Sequence, residues 1–196
     1  MRFDGTGRMT EFGEFPELQT ERLLLREMTM ADAEFYLKLF SDPEVVELTA
    51  FDPPNGIEGA KRELMEYCIR PFDENRGIRW GIVLKSKAEL IGTIGYINWV
   101  KARGHRAEIG YDLLAAYRRR GIMTEAMGEV LRYGFEKMGL NRIEALVVPW
   151  NDASIGLLQK LGFHQDGVLR ERTYFHCRYI DDLCFSLLAR EFGKRR

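Results

Sequence analysis

The chain has 196 residues, of which 45% are hydrophobic and 30% are charged, and its formal net charge is −1. This is the usual composition of one soluble globular domain, and the near-neutral charge argues against nucleic acid or an anionic membrane surface as a partner. No apolar run approaches the roughly 18 residues of a membrane span, and the N-terminus lacks the apolar core of a signal peptide. We therefore expect a single-domain cytoplasmic protein.

Cysteines and histidines are few and carry no metal signature. The three cysteines, Cys68, Cys177 and Cys184, cannot all pair within one chain, and none belongs to a Cys-x-x-Cys motif. Reduced thiols are the simplest interpretation. The three histidines show no zinc-ligand spacing, so we expect no metal site.

The N-terminal part of the chain gives strand and helix signals in alternation. In order, they are an irregular lead-in over residues 1–19, a strand over 22–26, a helix that begins at the N-cap Thr29 and ends or bends at Ser41-Asp42-Pro43, and a helix from the cap Asn55 to the breaker Pro71. We expect a single domain over residues 20–190.

The C-terminal part contains most of the strand signals. In order, it predicts strands over residues 78–84, 90–100 and 107–114, a helix over 122–138, a strand over 143–148, a helix over 151–161, and strands over 163–175 and 179–188. Short polar turns join the first three strands, which is typical of an antiparallel meander. A helix joins the strands over 107–114 and 143–148, and such a connection makes two strands parallel. The order predicts a mixed α/β sheet.

The turn before the helix over 122–138 has the features of an anion site. Arg118-Arg119-Arg120-Gly121 lies there. A helix N-terminus leaves backbone N–H groups unpaired and carries a partial positive charge, which suits phosphate oxygens. Gly121 lacks a Cβ and lets an anion approach the backbone closely. For these residues alone, an ordinary solvated loop with a turn glycine is the alternative.

Four stretches resemble the GNAT superfamily of acetyl-coenzyme A-dependent N-acetyltransferases, and within it the RimJ/RimL branch of ribosomal-protein N-terminal acetyltransferases. They are Thr20-Glu21-Arg22-Leu23-Leu24-Leu25-Arg26, Ser41-Asp42-Pro43-Glu44-Val45, Arg118-Arg119-Arg120-Gly121-Ile122-Met123-Thr124-Glu125-Ala126, and Asn151-Asp152-Ala153-Ser154 with Lys160-Leu161-Gly162-Phe163. The resemblance covers residues 18–188. It implies a GNAT-like α/β fold, with a mostly antiparallel sheet of about seven strands, helices on both faces, and a splay between the fourth and fifth strands.

The resemblance also implies how the cosubstrate acetyl-CoA is held. Backbone amides of the loop bind the pyrophosphate, the splayed strand pairs with the pantetheine arm, Asn151 hydrogen-bonds that arm, and Ser154 lies near the thioester sulfur. The expected cofactor-binding residues are Leu113, Leu114, Arg119, Arg120, Gly121, Ile122, Met123, Thr124, Asn151 and Ser154. Met123 departs from the family pattern, which has a small residue there, but a side chain at that position need not block backbone amides.

The implied reaction is direct attack of an amine on the acetyl thioester, which requires an acceptor for the amine's proton. Glu108 is the candidate base, and an ion pair with Arg106 or Arg142 is its structural alternative. The leaving thiolate needs a proton or a hydrogen bond. Because Leu158 stands where many relatives have a tyrosine, Ser154 is the candidate donor, and a hydroxyl bonded to a helix carbonyl is its alternative.

We therefore expect an N-acetyltransferase that acts on the α-amine of a protein or peptide. A small amine acceptor, such as a polyamine, an amino acid or an aminoglycoside-like compound, is the second hypothesis, and a non-catalytic acyl-CoA-binding module is the third. The helices over residues 31–70 cover the acceptor side in this fold and show no decisive excess of acid. The first two hypotheses therefore stay open. A homodimer is a further expectation from the resemblance.

Overall fold

The computed structural model describes residues 2–3, 9–10, 13–102 and 104–193. The strands are β1 (Arg2–Phe3), β2 (Met9–Thr10), β3 (Leu18–Gln19), β4 (Leu23–Glu27), β5 (Ile78–Leu84), β6 (Glu89–Val100), β7 (Arg106–Leu113), β8 (Arg142–Val147), β9 (His164–Phe175) and β10 (Arg178–Leu188). The α-helices are α1 (Ala33–Phe40), α2 (Pro43–Thr49), α3 (Gly56–Leu64), α4 (Arg70–Asp73), α5 (Ile122–Glu136), α6 (Asp152–Leu161) and α7 (Ala189–Phe192). Two 3₁₀ turns and one π-helical segment complete the helical structure: Met30–Asp32, Ala115–Tyr117 and Met65–Ile69.

One sheet of eight strands organises the domain, in the order β3-β4-β5-β6-β7-β8-β10-β9. Every neighbouring pair is antiparallel except β7 with β8. The predicted mixed, mostly antiparallel α/β sheet is confirmed, with one strand more than the expected seven. The additional strand is β3, an edge strand that pairs with β4.

The lead-in predicted over residues 1–19 contains short strands. β3 lies inside it, and β1 pairs with β2 in a separate antiparallel ribbon. Residues 1, 4–8 and 11–12 of the predicted lead-in lie outside the described residues.

β7 and β8 separate after a short parallel contact. They pair at Arg106 with Arg142, at Ala107 with Ile143, and at Glu108 with Glu144. β7 nevertheless continues to Leu113, and β8 continues to Val147. The predicted splay between these strands is therefore present, and it begins immediately after Glu108.

Helices cover both faces of the sheet. On one face, Tyr96 of β6 donates a hydrogen bond of 2.8 Å to the carbonyl of Val130 in α5, and the Trp80 ring contacts Tyr133 of α5 at 5.5 Å between centroids. Side chains alternate along a strand, so Arg79, next to Trp80, points to the other face. There Tyr36 of α1 lines the same cleft as Arg79. The site lies where the splay connects these two faces.

Two prolines lie at the start of a helix, although the sequence pattern predicted that they end or bend the helix before them. Pro43 lies in the first turn of α2, where the Asp42 carboxylate accepts a 2.9 Å hydrogen bond from the Glu44 N–H. Pro71 lies in the first turn of α4, so the helical path runs past it to Asp73. A first-turn residue needs no N–H partner, and the missing proton of proline costs nothing there.

Candidate active site

The anion corner is built from backbone. Arg119 and Gly121 adopt left-handed conformations, with φ of 59° and 73°. This path turns the chain from β7 into α5, and no side chain caps the α5 N-terminus. The amide groups of Ile122, Met123 and Thr124 have no partner one turn earlier in the helix, which leaves them for an anion.

Glu125 holds this corner in place and does not compete for it. Its carboxylate accepts hydrogen bonds from the Thr20 hydroxyl at 2.5 Å and from the Arg22 N–H and Nε at 2.9 and 2.6 Å. Arg22 also donates to the carbonyl of Arg120 at 3.1 Å. Burial raises the pKa of Glu125, but the bonds from Thr20 and Arg22 outweigh it and hold the pKa below its ordinary value. The acidic side chain is thus ionised and tied to the start of β4.

A cleft of about 490 Å³ extends from this corner along β7 to the start of α6. Most of the predicted cofactor-binding residues line it: Leu113, Arg119, Gly121, Ile122, Met123, Thr124, Asn151 and Ser154. Leu114 and Arg120 are not among the lining residues. Leu114 is buried, and the Arg120 guanidinium lies 5.8 Å from the centroid of the Tyr117 ring.

The splay frees particular backbone groups of β7. The Leu114 N–H donates to the carbonyl of Ile91 on the β6 side at 2.9 Å. Hydrogen-bonding direction alternates along an antiparallel pair, so the backbone groups of Leu113 and Tyr111 point away from β6, towards the gap left by β8. The Leu113 carbonyl accepts a 3.1 Å bond from Arg118 Nε. The backbone groups open to an extended ligand are therefore those of Tyr111 and the N–H of Leu113, whereas the Leu113 carbonyl and the Leu114 N–H are already bonded.

Asn151 holds the far end of the cleft. Its side-chain oxygen accepts a hydrogen bond from the Ser154 N–H at 3.0 Å and so caps α6. Its side-chain nitrogen donates to the carbonyl of Leu48 at the end of α2, also at 3.0 Å. The residue thus joins α6 to α2, and one hydrogen of its amide group remains beyond the Leu48 bond.

A second cleft of about 350 Å³ continues from the first through the splay. The two clefts share Tyr111, Asn151 and Ser154, and Glu108 lines the second. Glu108 and Tyr111 are three residues apart on β7, so their side chains point to opposite faces of the sheet. The splay is what brings both groups to one opening.

Glu108 has the surroundings of a proton acceptor. Burial raises the pKa of its carboxyl, while a 3.2 Å hydrogen bond from Asn98 and the charge of Arg172 oppose that shift. The structural alternative is not met, because Arg106 and Arg142 bind Glu144 instead, at 2.8 and 2.7 Å. Within the described part of the chain, Glu108 forms no ion pair.

Tyr111 adds a hydroxyl that sequence reasoning missed. Its oxygen is buried and has no hydrogen-bond partner among the described residues. Burial raises its pKa to about 12, although the nearby Ser154 side chain acts to lower it. The two hydroxyl groups interact without a hydrogen bond of normal geometry. The sequence did contain a signal for this residue. Tyr111 lies an odd number of residues from Glu108 on the same strand, so its side chain lies on the other face of the sheet, which α5 and α6 cover.

The described ranges contain no cluster of His, Cys, Asp or Glu able to hold a metal ion. None of the helices in these ranges is long and apolar enough to cross a membrane. Burial raises the pKa of the Cys184 thiol, which disfavours the reactive thiolate.

Known N-acetyltransferases resemble this chain over most of its length. A family model described as "Acetyltransferase (GNAT) domain" matches residues 22–164. The uncharacterized N-acetyltransferase YoaA of Bacillus subtilis is 39% identical over 174 residues, which cover 89% of this chain and 97% of YoaA. The [ribosomal protein uS5]-alanine N-acetyltransferase of Escherichia coli is 29% identical over 117 residues, 60% of each chain.

A solved structure matches the fold. The spermidine N-acetyltransferase of Vibrio cholerae, in complex with CoA and spermine, superimposes with a TM-score of 0.77, covering 88% of this chain and 99% of that one at 20% identity. At this identity the likeness supports the fold alone. The family match and YoaA together carry the assignment. The chain belongs to the GNAT family and is an N-acetyltransferase.

Proposed function

We propose that this enzyme transfers the acetyl group of acetyl-CoA to the α-amine of a protein or peptide. The observation that carries the proposal is the end of the β7–β8 pairing at Glu108. Beyond it, a cleft with a backbone anion corner meets a cleft that contains a partly buried carboxylate. That is the arrangement that a two-substrate transfer between an anionic cosubstrate and an amine requires.

The residues present fit acetyl-CoA. Uncapped amides at the start of α5 suit its pyrophosphate, and the gap-facing backbone of Tyr111 and Leu113 suits an arm that pairs as an extended strand. Both features lie along one cleft of about 490 Å³. When bound, acetyl-CoA supplies an activated acetyl thioester.

The protein's own groups divide the proton transfers between the two faces of the sheet. Glu108 accepts the proton of the amine, directly or through a water, and positioned bases of this kind typically contribute about 10²- to 10⁴-fold. Ser154 and Tyr111 hold hydroxyl protons at the opposite side of the opening, where the leaving sulfur develops negative charge. Because burial raises the pKa of Tyr111, its hydroxyl is neutral and available as a donor.

The relatives support two acceptor classes. The uS5-alanine enzyme of Escherichia coli supports a protein α-amine, and the spermidine enzyme of Vibrio cholerae supports a small amine. The sequence relationship is to the former, whereas the latter shares the fold at 20% identity. A small amine is therefore the second candidate.

The experiment is release of free thiol from acetyl-CoA, measured against a panel of short peptides with free N-termini and a panel of small amines. We expect turnover on peptides with a free α-amine and none on the same peptides with a blocked N-terminus. Turnover confined to the small amines would replace the first candidate with the second. Tight CoA binding without turnover on any amine would contradict the proposal.

A cytoplasmic location and a homodimer stay predictions. The homodimer is measured by light scattering on the purified chain, where twice the mass of 22.8 kDa is expected. A mass that stays at one chain across concentrations would contradict it.

A further inference from the structure

Most of the negative charge that lines the second cleft is already paired with arginines. Three carboxylates line it, on Glu108, Asp112 and Asp182. Asp112 forms a buried ion pair with Arg79 and also accepts from the Thr93 hydroxyl at 3.2 Å. Asp182 binds Arg172 at 3.0 Å and the Thr173 hydroxyl at 2.8 Å. Only Glu108 is left without an ion pair in the described ranges.

The charges that line the second cleft limit how many positive charges an acceptor can carry there. A polyamine keeps several ammonium groups at neutral pH, and each buried charge needs a partner. Here two of the three carboxylates are already neutralised by arginines that line the same cleft. The cleft therefore suits an amine with one ammonium group.

The opposite wall of the cleft is aromatic. Tyr36, Phe40, Phe51 and Tyr67 line it as a continuous row, with ring centroids 4.4, 6.0 and 5.6 Å apart in that order. Tyr36 and Phe40 are buried, whereas Tyr67 at the end of the row is 46% exposed. An exposed aromatic surface inside a substrate cleft gains free energy when an apolar group covers it.

We infer that the acceptor carries a bulky apolar group next to a single reacting amine, and that Phe51 and Tyr67 bind that group. The inference rests on the proposed acetyl transfer and adds the acceptor's chemistry to it. For a peptide acceptor, the apolar group is the side chain of the first residue. One methylene in an apolar pocket is worth about 10- to 200-fold in kcat/KM. A large apolar first residue differs from a small polar one by more than one methylene, so we expect kcat/KM to differ between them by about tenfold or more.

The test compares kcat/KM at saturating acetyl-CoA for peptides that differ only in their first residue. Leucine and phenylalanine peptides should exceed serine and aspartate peptides by about tenfold or more, and spermidine should be the poorest amine. Equal rates on the leucine and serine peptides, or a preference for spermidine, would overturn the inference.

A matched pair of tyrosine variants tests the aromatic wall. Tyr67→Ala should raise KM for the leucine peptide about tenfold, leaving the serine peptide and the KM for acetyl-CoA unchanged. Tyr174→Ala is the control, because Tyr174 on β9 is 61% exposed and lines neither cleft. Parent-like KM values in Tyr67→Ala, or the same change in both variants, would overturn the role of this wall.

The same panel separates the inference from the function on which it rests. Faster turnover of leucinamide than of leucine peptides supports the apolar preference and contradicts a peptide acceptor. Turnover of peptides without regard to the first residue supports peptide acetylation and overturns the inference. Absence of thiol release with every amine contradicts both.

Discussion

The two clefts that meet at the splay are built from different parts of the polypeptide. In the first cleft, where we propose that acetyl-CoA binds, the polar groups that we expect to bind it are backbone groups: those of the left-handed turn at Arg119 and Gly121, the open amides of α5 and the gap-facing groups of β7. In the second cleft, where we propose that the acceptor binds, the corresponding groups are side chains, from α1, β5, β7, β9 and β10. A backbone site depends on the path of the chain, and a side-chain site depends on residue identity. One fold can therefore keep its cosubstrate while its acceptor changes.

The largest effect is expected when the carboxylate of Glu108, in the second cleft, is removed. Glu108→Gln should lower kcat by about 10²- to 10⁴-fold and leave the KM for acetyl-CoA unchanged. A base works when ionised, and burial raises the pKa of Glu108, so the parent's activity should rise with pH through a value above that of an ordinary glutamate. The variant should lose this acid limb of the pH profile.

Glu144→Gln is the control for that variant. Glu144 lies opposite Glu108 on β8 but binds Arg106 and Arg142 and lines neither cleft. It should keep the parent's kcat. A parent-like kcat in Glu108→Gln would remove Glu108 from the mechanism.

The hydroxyl pair at the opening is the next test. A hydrogen bond to a developing charge is worth about 1.5–3 kcal/mol, so Ser154→Ala and Tyr111→Phe should each lower kcat by about 10- to 100-fold. Because we propose that both groups donate to one sulfur, the double variant should lose less than the sum of the two losses in free energy. Stopped-flow or steady-state thiol release measures all three.

Thermal unfolding distinguishes a catalytic from a structural role for Tyr111. Its hydroxyl is buried without a partner, and removing it should leave Tm unchanged or higher. Full activity in both single variants would exclude the hydroxyl pair as the donor.

A backbone variant tests the cofactor side. Alanine at Gly121 must adopt a φ of 73°, which L-residues disfavour. The cost of about 1–2 kcal/mol should appear as a KM for acetyl-CoA raised roughly 5- to 30-fold, with kcat retained at saturation. Gly128→Ala is the control, because a Cβ there meets nothing within 4 Å and its φ is not positive. An unchanged KM in Gly121→Ala would separate this corner from cosubstrate binding.

The smallest effect is expected from the ties that hold the corner. Glu125→Gln weakens the partly exposed bonds to Thr20 and Arg22, at a cost of about 1 kcal/mol. In a chain of this size, that lowers Tm by about 2–4 °C. Because the folded pKa of Glu125 is lowered, its stabilisation is complete above the ordinary glutamate pKa and is lost as pH falls through the folded value. Calorimetry should therefore show the difference in Tm between parent and variant at pH 7 and a smaller difference in Tm below about pH 4. An equal difference in Tm at both pH values would contradict this role of Glu125.

Local patterns predicted the backbone-built side well. The parallel step from β7 through α5 to β8 follows from one strand-helix-strand signal, and the glycine before α5 marks the anion corner. Both features depend on residues close in sequence, which is why the pattern contained them. The splay between β7 and β8 was instead implied by the resemblance to GNAT enzymes.

The second cleft, which is formed by side chains, was harder to predict from the sequence. The Arg79–Asp112 pair joins residues far apart in sequence, and only the register of β5, β6 and β7 brings them together. Helix α2 was missed because Asp42-Pro43 was interpreted as a stop, although an N-cap followed by proline also begins a helix. That helix carries Leu48 and Thr49 into both clefts.

The most direct test of the account is a crystal structure of the protein with CoA bound. We expect the pyrophosphate on the amides of Gly121 to Thr124, the pantetheine arm hydrogen-bonded to the backbone of Tyr111 and Leu113, and the sulfur beside Ser154. Glu108 would then face that sulfur from the second cleft. An arm that runs outside the gap between β7 and β8, or a pyrophosphate away from the α5 N-terminus, would contradict it.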